Sequence, residues 1–192
     1  MKMKNFFSRE IFLSDRFLII FAVFYLVFPI ILFAVGWLKF TIAILVIIIL
    51  ILSFFKTINN EVFVELRITH KIIYILSITL LLAFLWVLLS GIGGFGLQSW
   101  DFNGRNAILH DLINHSWPVK YDYTNQPEMA SLFGSNAYLA YYFSFFLPSA
   151  IVGKVLGWSA ANVVLFVWSW MGVILTILLV FRYIKKYPFL FL

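Results

Sequence analysis

Asp101 stands in SWDFNGRNAILHDLINHSWPV (99–119), the stretch that concentrates the residues able to do chemistry. A carboxylate placed at the boundary of water and lipid can take a proton from an attacking hydroxyl or amine. It can also hold a divalent cation that neutralises a phosphate leaving group. Its bland alternative is a helix cap or a solvated acid. Four residues on, Arg105 carries a guanidinium suited to clamping phosphate oxygens or to meeting lipid headgroups. Trp100 precedes the acid. Asp111 and His115 share an i to i+4 spacing, but two ligands do not make a metal site, and a solvated helical pair explains them better.

Further along, YLAYYFSFFLP supplies Tyr138, Tyr141 and Tyr142 amid apolar neighbours. Tyrosines at this density suit a membrane interface. The sharper reading is a greasy groove for a polyprenyl chain, lined by Tyr141 and Tyr142, with Lys154 near its phosphate.

The elements that position these residues follow from composition. Of 192 residues, 64% are hydrophobic and 11% charged, far below the charge of a soluble domain, so the chain is an integral membrane protein of the all-α class. Hydrophobic runs place four spans at about 17–35, 41–55, 72–89 and 160–181 in a single membrane domain covering 1–192. The absence of cysteine removes disulfides and thiolate sites. The net charge of +6 flanks the spans rather than forming a basic patch, which argues for anionic lipid as partner and against nucleic acid. A transporter is disfavoured because the spans carry no buried charge.

Residues 91–159 form the outer loop region. Its part up to Ala137 holds four of the eight acids and only two cations. The stretch 138–157 decides the topology. If it crosses the membrane, lysines and arginines divide eight against six; if it does not, ten against four. The second division obeys the positive-inside rule better, so this stretch is expected to be a re-entrant or interfacial half-helix. Both termini then lie in the cytoplasm, and a bacterial plasma membrane is the expected location. Within the loop, Ile108, Leu109, Leu112 and Ile113 make the apolar stripe of an amphipathic helix that Pro118 ends.

GIGGFG (91–96) matches a dinucleotide fingerprint by letter only. That fingerprint needs a strand before it and a phosphate-holding helix after it, whereas these glycines follow a membrane span. They read as a flexible exit from that span.

A membrane helix, an outer loop opening on an acid, an amphipathic helix ending in SWPV, and a Pro-containing half-helix closing on GKVLGWSAANVVLF together resemble the first-loop region of GT-C superfamily glycosyltransferases, over roughly residues 91–181. The resemblance implies a polytopic enzyme taking a sugar from a polyprenyl-phosphate donor on the outer face. In that pattern Asp101 is catalytic or binds metal. Arg105 is the basic residue of the following helix, and Leu147 to Gly157 corresponds to the half-helix. Phe102 stands where many of these enzymes carry a second carboxylate. Such enzymes have more spans, so the resemblance further implies that this chain corresponds to their N-terminal part. The competing expectation is a non-catalytic accessory or assembly subunit of envelope polysaccharide biosynthesis or export, working with other membrane subunits.

Overall fold

The computed structural model describes residues 11–63 and 65–186. Four helices are long and apolar enough to cross a membrane: α1 (Arg16–Trp37), α2 (Phe40–Asn60), α3 (His70–Leu89) and α7 (Trp158–Lys186). Each hydropathy run continues into a helix because an apolar environment leaves backbone N–H and C=O groups no partner except one another. α1 and α7 pack together, with α2 against α1 and α3 against α7. Aromatic stacking marks the central contact. Tyr25 stacks on Trp168 with ring centroids 4.3 Å apart, and its hydroxyl donates to the Trp168 carbonyl at 3.2 Å.

The beginning of α1, the end of α2 and the end of α7 meet at one end of the bundle. Arg182 from α7 donates to Asp15 and, at 2.5 Å, to Glu61; it also reaches the Val62 carbonyl at 3.2 Å. Both Asp15 and Arg182 are buried. A short antiparallel pairing of β1 (Ile11–Ser14) with β2 (Glu65–Ile68) closes the same end, with Phe12 opposite Arg67. Between the second and third expected spans, α2 extends to Asn60 and Glu65–Ile68 pairs as a strand. Extended backbone beside the first span satisfies its hydrogen bonds in this way.

The opposite end carries α4 (Asp101–Asn114), β3 (Lys120–Asp122), α5 (Pro127–Phe133), β4 (Asn136–Tyr138) and α6 (Leu147–Leu156). With the 3-10 turn before it (Ser144–Phe146), α6 makes a 13-residue apolar helix. That is about 20 Å, too short for a hydrocarbon layer of about 30 Å. Gly157, at φ +83°, reverses the chain into α7. The half-helix packs chiefly on α7, and also on α4 and α1. It is therefore held on protein, as the distribution of lysines and arginines implied.

The core of this end gathers Leu109, Leu112, Val119, Phe146, Leu147 and Ala150, all buried. The apolar stripe of α4 thus lies on α6. Trp37, Trp117 and Phe143 seal the junction with α1, with centroids 5.2 Å (Trp37–Trp117) and 4.4 Å (Trp37–Phe143) apart. Gly153 sets how closely α6 can approach. A Cβ there would sit 2.7 Å from Ile113 and 2.9 Å from the Ala161 Cβ. Gly153→Leu is expected to destabilise the folded protein by about 1–3 kcal/mol through overpacking, read as a lower midpoint in detergent-solubilised thermal unfolding; an unchanged midpoint would refute this packing.

Candidate functional site

The glycine-rich exit from α3 places α4. Gly91 and Gly93 have φ of +83° and +73°, conformations open to glycine but strained for other residues. Gly93 also lies so near α7 that a Cβ would come within 2.6 Å of the Asn162 carbonyl. After this turn Gln98 ties the loop down, its Nε2 donating to the Gly91 carbonyl at 2.8 Å while its Oε1 accepts from Asn106 Nδ2 at 2.9 Å. The chain then enters α4 with Asp101 in its first turn, where a negative charge meets the positive end of the helix dipole. The helix begins at Asp101, so Asp101 and Arg105 lie one turn apart on it.

A cleft of about 690 Å³ opens between the N-terminal half of α4 and the Tyr-rich segment. Trp100, Asp101, Arg105, Tyr141 and Tyr142 all line it, joined by Asn103, Gly104, Ile108, Leu139 and Ala140. Five of the six residues singled out in the sequence therefore share one cleft. Trp100 is 84% exposed and available to a ligand. The Asp101 carboxylate has no hydrogen-bond or ion-pair partner among the described residues. Arg105 lies over the Phe102 ring, 5.1 Å from its centroid, which orients the guanidinium without neutralising it. Tyr141 donates to the Tyr142 hydroxyl at 2.5 Å, and that bond holds its own phenol above the usual range.

Lys154 stands apart. Its Nζ donates to the carbonyls of Ile113 (3.4 Å) and His115 (2.5 Å) and lies 5.2 Å from the Trp117 ring centroid. It thus closes the C-terminal end of α4, whose length is about 20 Å, while Asp101 occupies the other end. Partial burial pushes its ammonium below the usual lysine range. Asp111 pairs with Tyr121, whose hydroxyl donates to its carboxylate at 2.6 Å, and has no bond to His115. Burial and that bond push the Tyr121 phenol up.

Two further cavities follow the cleft toward the spans, each sharing wall residues with the one before. One, of about 300 Å³, shares Arg105 and Tyr142 with it and is otherwise walled by residues including Ile92, Phe102, Phe145 and Leu165. The next, of about 890 Å³, shares Ile92 and Phe145 with the second and continues between α1, α3 and α7 past Tyr25, Leu82, Trp86 and Val173. The three thus lie in a row, from an apolar groove between the spans to a cleft holding one acid and one guanidinium. Phe102, Ile92 and Phe145 were not foreseen as part of it; the alternation of aromatic and aliphatic residues with Arg105 was the available signal.

Asp101 is the sole acid lining the cleft, and among the described residues no three histidine, aspartate or glutamate side chains gather as a metal site. One carboxylate is fewer protein ligands than an all-protein cation cage supplies, and a magnesium ion held by it would share its coordination with water and a substrate phosphate. No family model matches the chain, and neither a curated protein nor a solved structure matches it.

Proposed function

We propose that this integral membrane protein forms a GT-C-like site for transferring a sugar from a polyprenyl-phosphate donor, with the α4 end of the bundle on the outer face of the membrane. What supports the reading is a row of three cavities that share wall residues, from the groove between α1, α3 and α7 to the cleft of Asp101 and Arg105. An amphiphile with a long apolar tail, an anionic linker and a polar headgroup has the same order of chemistry. Its isoprenoid chain occupies the groove, Arg105 meets the phosphate, and the sugar reaches Asp101.

In the transfer, the carboxylate of Asp101 accepts the proton of an acceptor hydroxyl as that oxygen attacks the anomeric carbon. The phosphate departs with its charge held by Arg105. Phe102 and Phe145 keep water from the phosphate side, and Tyr141 and Tyr142 border the sugar. The described chain begins and ends at the same end of the bundle, and the excess of lysine and arginine in the flanking sequence supports a cytoplasmic position for that end.

A non-catalytic accessory subunit of an envelope assembly is the second reading, favoured by the single carboxylate in the cleft. The experiment that separates the two is transfer of labelled sugar from polyprenyl-phosphate donors by membranes carrying the full-length protein, wild type against Asp101→Asn.

A further inference from the structure

Behind α4, on the side away from the Asp101 cleft, lies a separate cavity of about 380 Å³ whose lining contains no charged residue. Gln98, Asn106, Ser159 and Asn162 supply its polar groups, Trp158 an aromatic wall, and Gly93 a bare stretch of backbone. None of these residues is used by the donor path except Gly93 and Asn106, which line both this cavity and the neck beside Arg105.

The hydrogen bonds fix which atoms remain open. Gln98 Nε2 is committed to the Gly91 carbonyl, so its Oε1 faces Asn106 and takes the Asn106 Nδ2 proton. Asn162 Nδ2 donates to the Trp158 carbonyl at 2.9 Å. Asn106 Oδ1, Asn162 Oδ1 and the Ser159 hydroxyl have no partner among the described residues, and Trp158 Nε1 has no acceptor among them. The site therefore offers two oriented amide acceptors, a hydroxyl that both donates and accepts, and an indole donor. Trp158 is 41% exposed and is buttressed edge-on by His110, at 6.2 Å between centroids, so its face has a fixed direction.

We infer that this cavity is a binding subsite for a neutral saccharide. A pyranose has hydroxyls that donate and accept in equal measure, matching the mixed open groups. One face of its ring presents C–H groups that pack on the electron-rich face of an indole. The absence of lysine, arginine, aspartate and glutamate from the lining disfavours phosphate, carboxylate and amine ligands, whose desolvation would go uncompensated. The subsite stands apart from the Asp101 cleft and does not depend on the donor reading.

The test is saturation-transfer NMR with methyl β-D-glucopyranoside on the full-length protein in nanodiscs of zwitterionic lipid, since alkyl-glycoside detergents present the same sugar. Saturable binding is expected. Trp158→Ala should weaken it by about tenfold or more, and Asn106→Ala and Asn162→Ala by about fivefold each, as for lost single hydrogen bonds. Asp101→Asn and Arg105→Ala should leave it unchanged. Absence of saturable binding to wild type overturns the inference, as does binding that survives both asparagine substitutions. Asn106 is half-buried and outside the buried core, so its variant keeps the test decisive if Trp158→Ala fails to fold. Saccharide binding that persists while Asp101→Asn leaves transfer intact supports the subsite and removes the donor reading; loss of saccharide binding with transfer still dependent on Asp101 does the reverse.

Discussion

Asp101→Asn is expected to lower sugar transfer by about 10²- to 10⁴-fold, the range for removing a positioned general base, while the protein still folds and inserts. The substitution keeps the size and planarity of the side chain and removes only its ability to take a proton. Structure makes little use of the carboxylate. It is exposed, has no bonded partner among the described residues and sits in the first turn of α4, where its interaction with the helix dipole is worth about 0.3–1 kcal/mol. A purely structural role would therefore appear as a small loss of thermal stability with transfer retained. Measuring both in the same membranes separates the roles: transfer within about twofold of wild type would contradict the assignment of Asp101 as base, a change far below the catalytic range.

The second large effect lies at the other end of the bundle. Arg182→Ala is expected to destabilise the protein by about 3–5 kcal/mol, because it leaves the Asp15 carboxylate buried after its guanidinium partner has gone. Asp15 is 1% exposed and Arg182 8%, so neither charge can relax into solvent without moving the β1–β2 pairing and the start of α1. Asp15→Ala should cost less, since Glu61 still faces Arg182 at 2.5 Å. The double variant Asp15→Leu with Arg182→Leu should recover much of the loss, as apolar replacement of a buried pair commonly does. Thermal unfolding in nanodiscs reads all three. Equal stability of Arg182→Ala and wild type would mean that the triad does not hold this end together.

The four spans were legible because a run of about 20 apolar residues has few fates other than a membrane helix. That 147–156 forms a short helix packed on protein was legible through Pro148, Gly157 and the brevity of its apolar run. Pro118 and Gly157 marked ends that the structure keeps. The ion triad was not legible: Asp15 and Arg182 are 167 residues apart and Glu61 lies 121 from Arg182, and no local spacing links them. The β1–β2 pairing was hidden for the same reason, since strand pairing between distant short segments leaves no periodic trace.

Within the site, Asp101 and Arg105 were readable from chemical type and helical spacing, and Tyr141 and Tyr142 from their density. Their meeting across one cleft depends on how α6 returns the chain to α4, which is set by Leu109, Leu112 and Leu147 packing together. Lys154 illustrates the limit. Its charge suggested a phosphate, yet its position on α6 takes it to the carbonyls ending α4. The saccharide subsite combines Gln98, Asn106 and Asn162 from three segments, and no local spacing links them.

The central claim is that one amphiphile spans groove and cleft. Its most direct test is photo-crosslinking with a polyprenyl phosphate bearing a diazirine near the end of its chain, followed by mapping of the adducts. The account predicts adducts on Leu82, Trp86, Val173 or Ile177 in the groove, reduced about tenfold in yield by Arg105→Ala through loss of a charge-assisted phosphate contact. Adducts confined to the outer face of α2, or a yield indifferent to Arg105, would contradict it.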